Sequence, residues 1–127
     1  MKTGMLSLLA FFATFSPVLA QEAQISDLVN VPTASADGMS LLVKHYDVPG
    51  GWATPPHRHG GDAVVYVVEG DAVIELDGEP VPLGGGDAMH ASSEQTMIMR
   101  NADDSARLVF LVHQFGAEDA PYIRMAE

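Results

Sequence analysis

Apolar and polar positions alternate along this chain in short runs, and they rarely recur at helical spacing. After residue 20, Gly, Pro and Asp interrupt every apolar segment before a helix of useful length develops. The pattern predicts strands. "MSLLVKHYDV" (39–48) is a long one, closed by "PGG". "TPPHRH" (54–59) is a short extended piece, because proline disfavours helix at itself and at the residue before it. "AVVYVVEG" (63–70) reads as a strand with "DAVIELDG" (71–78) as its hairpin partner. "EPVPL" (79–83) is a short strand whose prolines, Pro80 and Pro82, point to a sheet edge. "AMHAS" (88–92), "TMIMRN" (96–101) and "ARLVFLVHQF" (106–115) complete the set. Residues 21–37 read as an N-terminal arm with one short strand, and 117–127 as a peripheral tail. Many short strands divided by turns predict an all-β sandwich or barrel, which hides sheet edges.

The first twenty residues do not fit that pattern. Lys2 precedes the apolar run "MLSLLAFFATF", and "SPVLA" puts Val18 and Ala20 at the small-residue positions of a signal-peptide cleavage point. The run is short for a bilayer core of about 30 Å. Residues 1–20 are therefore expected to be a signal peptide, and the protein to be exported to a periplasmic or extracellular location. No cysteine stands at the cleavage point to take a lipid, and no membrane attachment is expected after cleavage.

The chain has no cysteine anywhere, which excludes disulfides and thiolate ligands. Its formal charge is −11. Loss of Lys2 leaves five basic residues against seventeen acidic ones, a mature value of −12. Nucleic acid is excluded as a partner on that balance, since it calls for a positive patch. The acidic residues are scattered, as on a solvated surface.

The chemistry concentrates in "TPPHRHGGDAVVYVVEG". Residues two apart on a strand share a face, so His57 and His59 project together and Arg58 points away. Two neutral imidazoles on one face converge on a metal at about 2.0–2.1 Å each, taking zinc as the example. Iron, manganese and copper are also open for such a site, and the site need hold no metal.

These residues carry a resemblance. "PGGWATPPHRHGGDAVVYVVEGDAVIELDG" resembles the first conserved motif of the cupin superfamily, with Gly51 opening it, the histidine pair at its centre and Gly70 closing it. "GGGDAMHASSEQTMIMRN" resembles the second motif, from Gly86 to Asn101. The likeness spans residues 38–116 and is of the small, secreted, single-domain type with a type-2 conserved barrel. It implies a double-stranded β-helix, a jelly-roll barrel with the site inside. It also implies a small-molecule ligand and a homodimer, with the exposed N-terminal strands as the contact.

The same resemblance implies four metal ligands: two histidines, a glutamate and a third histidine. Aligned from Gly70, the glutamate position holds Ala63; aligned from Gly86 and Asn101, the third histidine position holds Met97. Ser92 and Glu94 replace the second motif's proline and glycine. Small secreted cupins that this chain resembles also carry an apolar residue at the glutamate position.

Three readings stay open. A substitute ligand completes the site, with Asp62 or His90 as first candidates and His45 or His113 on adjoining strands. The Gly60-Gly61 pair would let the backbone shift to present Asp62, although a one-residue slip turns a side chain to the other face. Alternatively Met97 is itself a ligand, with Met99 on its face, giving a softer set suited to copper. Or the barrel is an apolar pocket without metal, lined or gated by Tyr66, Phe110 and Trp52. The corresponding functions are a metal-dependent enzyme (a dioxygenase, isomerase or decarboxylase acting on a small organic molecule) and a non-catalytic small-molecule or metal-binding protein.

Overall fold

Burial follows the alternation. In the computed structural model, which describes residues 22–126, Ala63, Val65 and Val67 on one strand are wholly buried while Val64, Tyr66 and Val68 between them are exposed. The expected signal peptide lies outside the described residues. Ten strands follow in chain order: β1 Gln24–Pro32, β2 Met39–Val48, β3 His57–His59, β4 Gly61–Glu69, β5 Asp71–Leu76, β6 Glu79–Gly84, β7 Ala88–Ala91, β8 Met97–Asn101, β9 Leu108–Ala117 and β10 Ile123–Met125. They form two antiparallel five-stranded sheets. Sheet A runs β1-β2-β9-β4-β7 and sheet B runs β10-β3-β8-β5-β6. This is the all-β, double-stranded β-helix expected from the sequence, and β6 with its two prolines is indeed at an edge of sheet B.

One expectation is overturned. β4 and β5 are not a hairpin. β4 pairs with β7 and β9, and β5 pairs with β6 and β8 in the opposite sheet. The chain changes sheets at Gly70, whose φ of 94° suits glycine alone. A side-chain carbon there would meet the Arg107 carbonyl oxygen at 2.7 Å. Just before it, a register shift between Val67 and Glu69 bends β4 out of its sheet. The "Glu-Gly" that looks like a hairpin turn is the corner of a barrel.

The N-terminal arm is also more regular than expected. It contains a nine-residue strand, β1, all of it exposed, at the edge of sheet A. The tail carries a further short strand: β10, exposed at an edge of sheet B, pairs with β3 in the register Ile123↔His59, Arg124↔Arg58 and Met125↔His57. The approach to β10 explains Gly60, and the pairing of β4 with β9 explains Gly61. A side chain on Gly60 would run into the Pro121 carbonyl, and one on Gly61 into the Phe115 carbonyl.

Between the sheets lie Val48, Val65, Val67, Ile74, Met97, Leu108 and Phe110, the largest fully buried side chains. Burying each such side chain stabilises the fold by about 1.5–3 kcal/mol. Asn101 ties down one end of the barrel. Its amide donates to the carbonyls of Pro49 and Ala106, at 3.0 and 2.8 Å, and its Oδ1 accepts from Asp103 N at 3.0 Å.

Candidate functional site

The three residues of β3 alternate buried, exposed, buried, so His57 and His59 point into the barrel at 5% and 3% exposure. Their rings meet edge to face with centroids 5.1 Å apart. Around them lies a small cavity of about 90 Å³. Tyr46, Trp52 and Phe110 form one wall, with Tyr46 stacked on Phe110 at 4.5 Å and Trp52 tilted against both. Met97 and Met99 from β8 and Tyr122 from the turn before β10 also line it, and among the described residues no Asp, Glu, Lys or Arg does.

Hydrogen bonds fix the protonation pattern of both rings. His57 Nδ1 lies 2.9 Å from the Pro55 carbonyl oxygen. A carbonyl only accepts, so Nδ1 carries the proton, and in the neutral ring the lone pair is on Nε2. His59 Nδ1 lies 2.9 Å from Gln114 Oε1 and donates to it. Gln114 is itself buried on β9. Both imidazoles are thereby held as the tautomer that presents Nε2. This is the way metal-bound histidines are oriented, with the second nitrogen tied to an oxygen. Burial lowers the His59 pKa, reinforced by the adjacent His57, while Gln114 and the Tyr122 carbonyl oppose the shift. His59 is therefore neutral at pH 7 and free to donate its lone pair.

Met97 sits directly opposite His57 across the β3–β8 ladder, so the two side chains share the inner face. Met99, two residues on, shares it as well. Thr54 pins this strand: its N donates to the Met99 carbonyl at 2.8 Å and its Oγ1 accepts from Met99 N at 2.9 Å. Tyr122 closes the other side. Its hydroxyl lies 2.7 Å from that of Tyr46, and its ring packs on His59 and under the Lys44 ammonium. Burial pushes the pKa of Tyr122 far above its ordinary value, and that of Tyr46 upward too.

The other candidates lie outside the barrel. Asp62 and His90 bond to each other at 2.9 Å, both side chains more than half exposed. Parity explains it. Ala63 faces inward, so Asp62 and Val64 face outward, and His90 is the cross-strand partner of Val64. The Gly60-Gly61 pair does not turn Asp62 inward. Tyr66 is 38% exposed on the same outer face. His113 and His45 pair with Val43 and Leu111 there, out of register with the inward Val112 and Tyr46. Of the expected pocket residues, Met97, Met99, Phe110 and Trp52 are in place. Among the described residues, no third His, Asp or Glu joins His57 and His59 in a metal-binding cluster. The residues present therefore do not fit the four-ligand set implied by the sequence motifs.

Sequence reasoning missed Gln114, Tyr46 and Tyr122. The first two were readable from strand parity, since each shares a face with a strongly apolar neighbour two or four positions away. Tyr122 had no signal in the sequence.

The sequence model described as the cupin domain matches residues 44–113. No curated protein matches the chain. Among solved structures, a cupin 2 domain-containing protein from Halorhodospira halophila is similar at 23% identity and TM-score 0.66, over 84% of this chain and 71% of that one. The DMSP lyase DddQ from Ruegeria pomeroyi is similar at 20% identity and TM-score 0.65, over 83% of this chain and 52% of that one. The polyketide cyclase RemF from Streptomyces resistomycificus is similar at 21% identity and TM-score 0.62, over 85% and 73%. At these identities the likeness shows the fold alone.

Proposed function

The chain belongs to the cupin domain family, and within it we propose a binding protein that holds one transition-metal ion at His57 and His59 rather than an enzyme built on the family's four-ligand centre. The observation that carries this reading is the pair of fixed tautomers. Pro55 and Gln114 each occupy an Nδ1, which leaves Nε2 as the coordinating atom of each neutral ring, on side chains that line one cavity. Ala63 and Met97 supply neither the carboxylate nor the imidazole that metal-assisted turnover of a small molecule would draw on in this family.

The relatives that are enzymes support catalysis only as far as they share a fold, and a fold hosts many functions. A second reading is favoured by the aromatic wall: Tyr46, Trp52 and Phe110 suit a small apolar organic ligand, with the imidazoles as hydrogen-bond acceptors. Export belongs to the proposal as well, supported by the apolar run and the small residues before Gln21.

Trp52 is the chain's single tryptophan and lines the cavity, so its fluorescence reports occupancy. Titration with copper, zinc and cobalt should change that fluorescence at one equivalent per chain. If none does, and none is retained on dialysis, the metal-holding reading fails. Displacement of the signal by apolar molecules in metal-free protein would favour the second reading. The mass of the protein recovered from its producing cells tests export: the intact leader would contradict it.

A further inference from the structure

We propose that His57, His59, Met97 and Met99 together form a copper(I) site. This deepens the metal-holding reading and rests on it. The four side chains come from two adjacent strands and line one cavity. Met97 and Met99 are 2% and 3% exposed, so their thioethers are shielded from bulk water. Met97 is the cross-strand neighbour of an imidazole whose free nitrogen is Nε2. The donor set is two imidazole nitrogens and two thioether sulfurs.

Charge and softness select the same ion. Among the described residues no Asp or Glu lines the cavity, so no carboxylate offsets the charge of a bound cation. The cost of moving an ion out of water rises with the square of its charge, so a divalent ion incurs roughly four times the penalty of a monovalent one here. Thioethers are soft ligands that favour copper(I), whereas magnesium, manganese and calcium favour oxygen. The chain has no cysteine, so thiolate sites, the usual alternative for soft metals, are absent from it. Methionine is also a common filler of irregular cores. What separates these two from a filler is their placement: both border open volume beside the histidines instead of packing solely against apolar neighbours.

The test is competition for copper(I) under reducing, oxygen-free conditions against a chromophoric copper(I) chelator. It compares wild type with Met97→Leu/Met99→Leu and Met97→His, and runs zinc and cobalt in parallel. Leucine keeps the volume and removes the sulfur, and circular dichroism confirms that each variant folds. Wild type should bind one copper(I) per chain, and X-ray absorption should show sulfur in its coordination shell. The double leucine variant should lose about a hundred-fold in copper(I) affinity while its zinc and cobalt affinities change by no more than about three-fold. Met97→His should shift preference towards cobalt and zinc. Unchanged copper(I) affinity in the leucine variant, or a shell of nitrogen without sulfur, overturns the copper(I) site and leaves the histidine reading standing. Absence of binding by all three metals overturns both.

Discussion

The five histidines of this chain divide between two faces of the same barrel, and the two groups differ in everything but residue type. His57 and His59 are buried, each with Nδ1 committed to an oxygen of the protein. His45, His90 and His113 face outward, and His90 meets Asp62 in water. In sequence, His90 and Asp62 look as suitable for a metal as the pair on β3. The folded chain separates them by a single register step, since Asp62 precedes the inward Ala63 and His90 opposes the outward Val64. Strand parity, more than residue chemistry, decides which histidines can act together.

Substituting one group and then the other tests that division most strongly. His57→Ala/His59→Ala should weaken metal binding by at least about a hundred-fold, read by Trp52 fluorescence. His90→Ala/His113→Ala should leave it within about two-fold of wild type. Equal losses in both variants would erase the distinction.

A smaller effect is expected one layer out. Gln114→Leu leaves the His59 Nδ1–H without its acceptor in a buried place. It should cost about 1–3 kcal/mol in chemical denaturation. Metal affinity should fall by about ten- to a hundred-fold, because the ring loses its fixed orientation. Gln114→Glu, which keeps an acceptor, should retain binding.

The inner group should also give the protein an acid-sensitive stability. Burial depresses the His59 pKa in the folded state, so the unfolded chain takes up a proton first as pH falls. The contribution of neutral His59 is fully present above the unfolded value of about 6.5 and is lost as pH drops through the folded one. Melting temperature should therefore decline between pH 7 and 5, and less steeply in His59→Asn. A slope unchanged by that substitution would assign the decline to other groups. The smallest effect belongs to the outer pair. Asp62→Asn should change stability by less than about 1 kcal/mol, because exposed ion pairs contribute little.

Much of the fold was legible because alternation is a local signal. "MSLLVKHYDV" became β2 residue for residue, and the prolines of "EPVPL" marked a sheet edge. The pairing of strands was less legible. Glu69-Gly70 reads as a hairpin turn, and only the partners that β4 and β5 take, some distant in sequence, show that it is a corner between sheets. The site divides the same way. His57 and His59 were visible from spacing, and Met97 from the motif position it occupies. Tyr122 reaches the pocket from the turn into β10, and no local pattern announces that; parity puts Gln114 on the inner face of β9, but its bond to His59, 55 residues away, has no local sign.

Copper(I) is diamagnetic, so the nitrogen resonances of all five imidazoles can be followed as it binds. Before addition, His57 and His59 should both appear as the Nδ1–H tautomer. On addition of one equivalent, their Nε2 signals should move while those of His45, His90 and His113 stay in place. Movement of the outer three with the inner pair unchanged, or an Nε2–H tautomer at His57 or His59, would contradict the account.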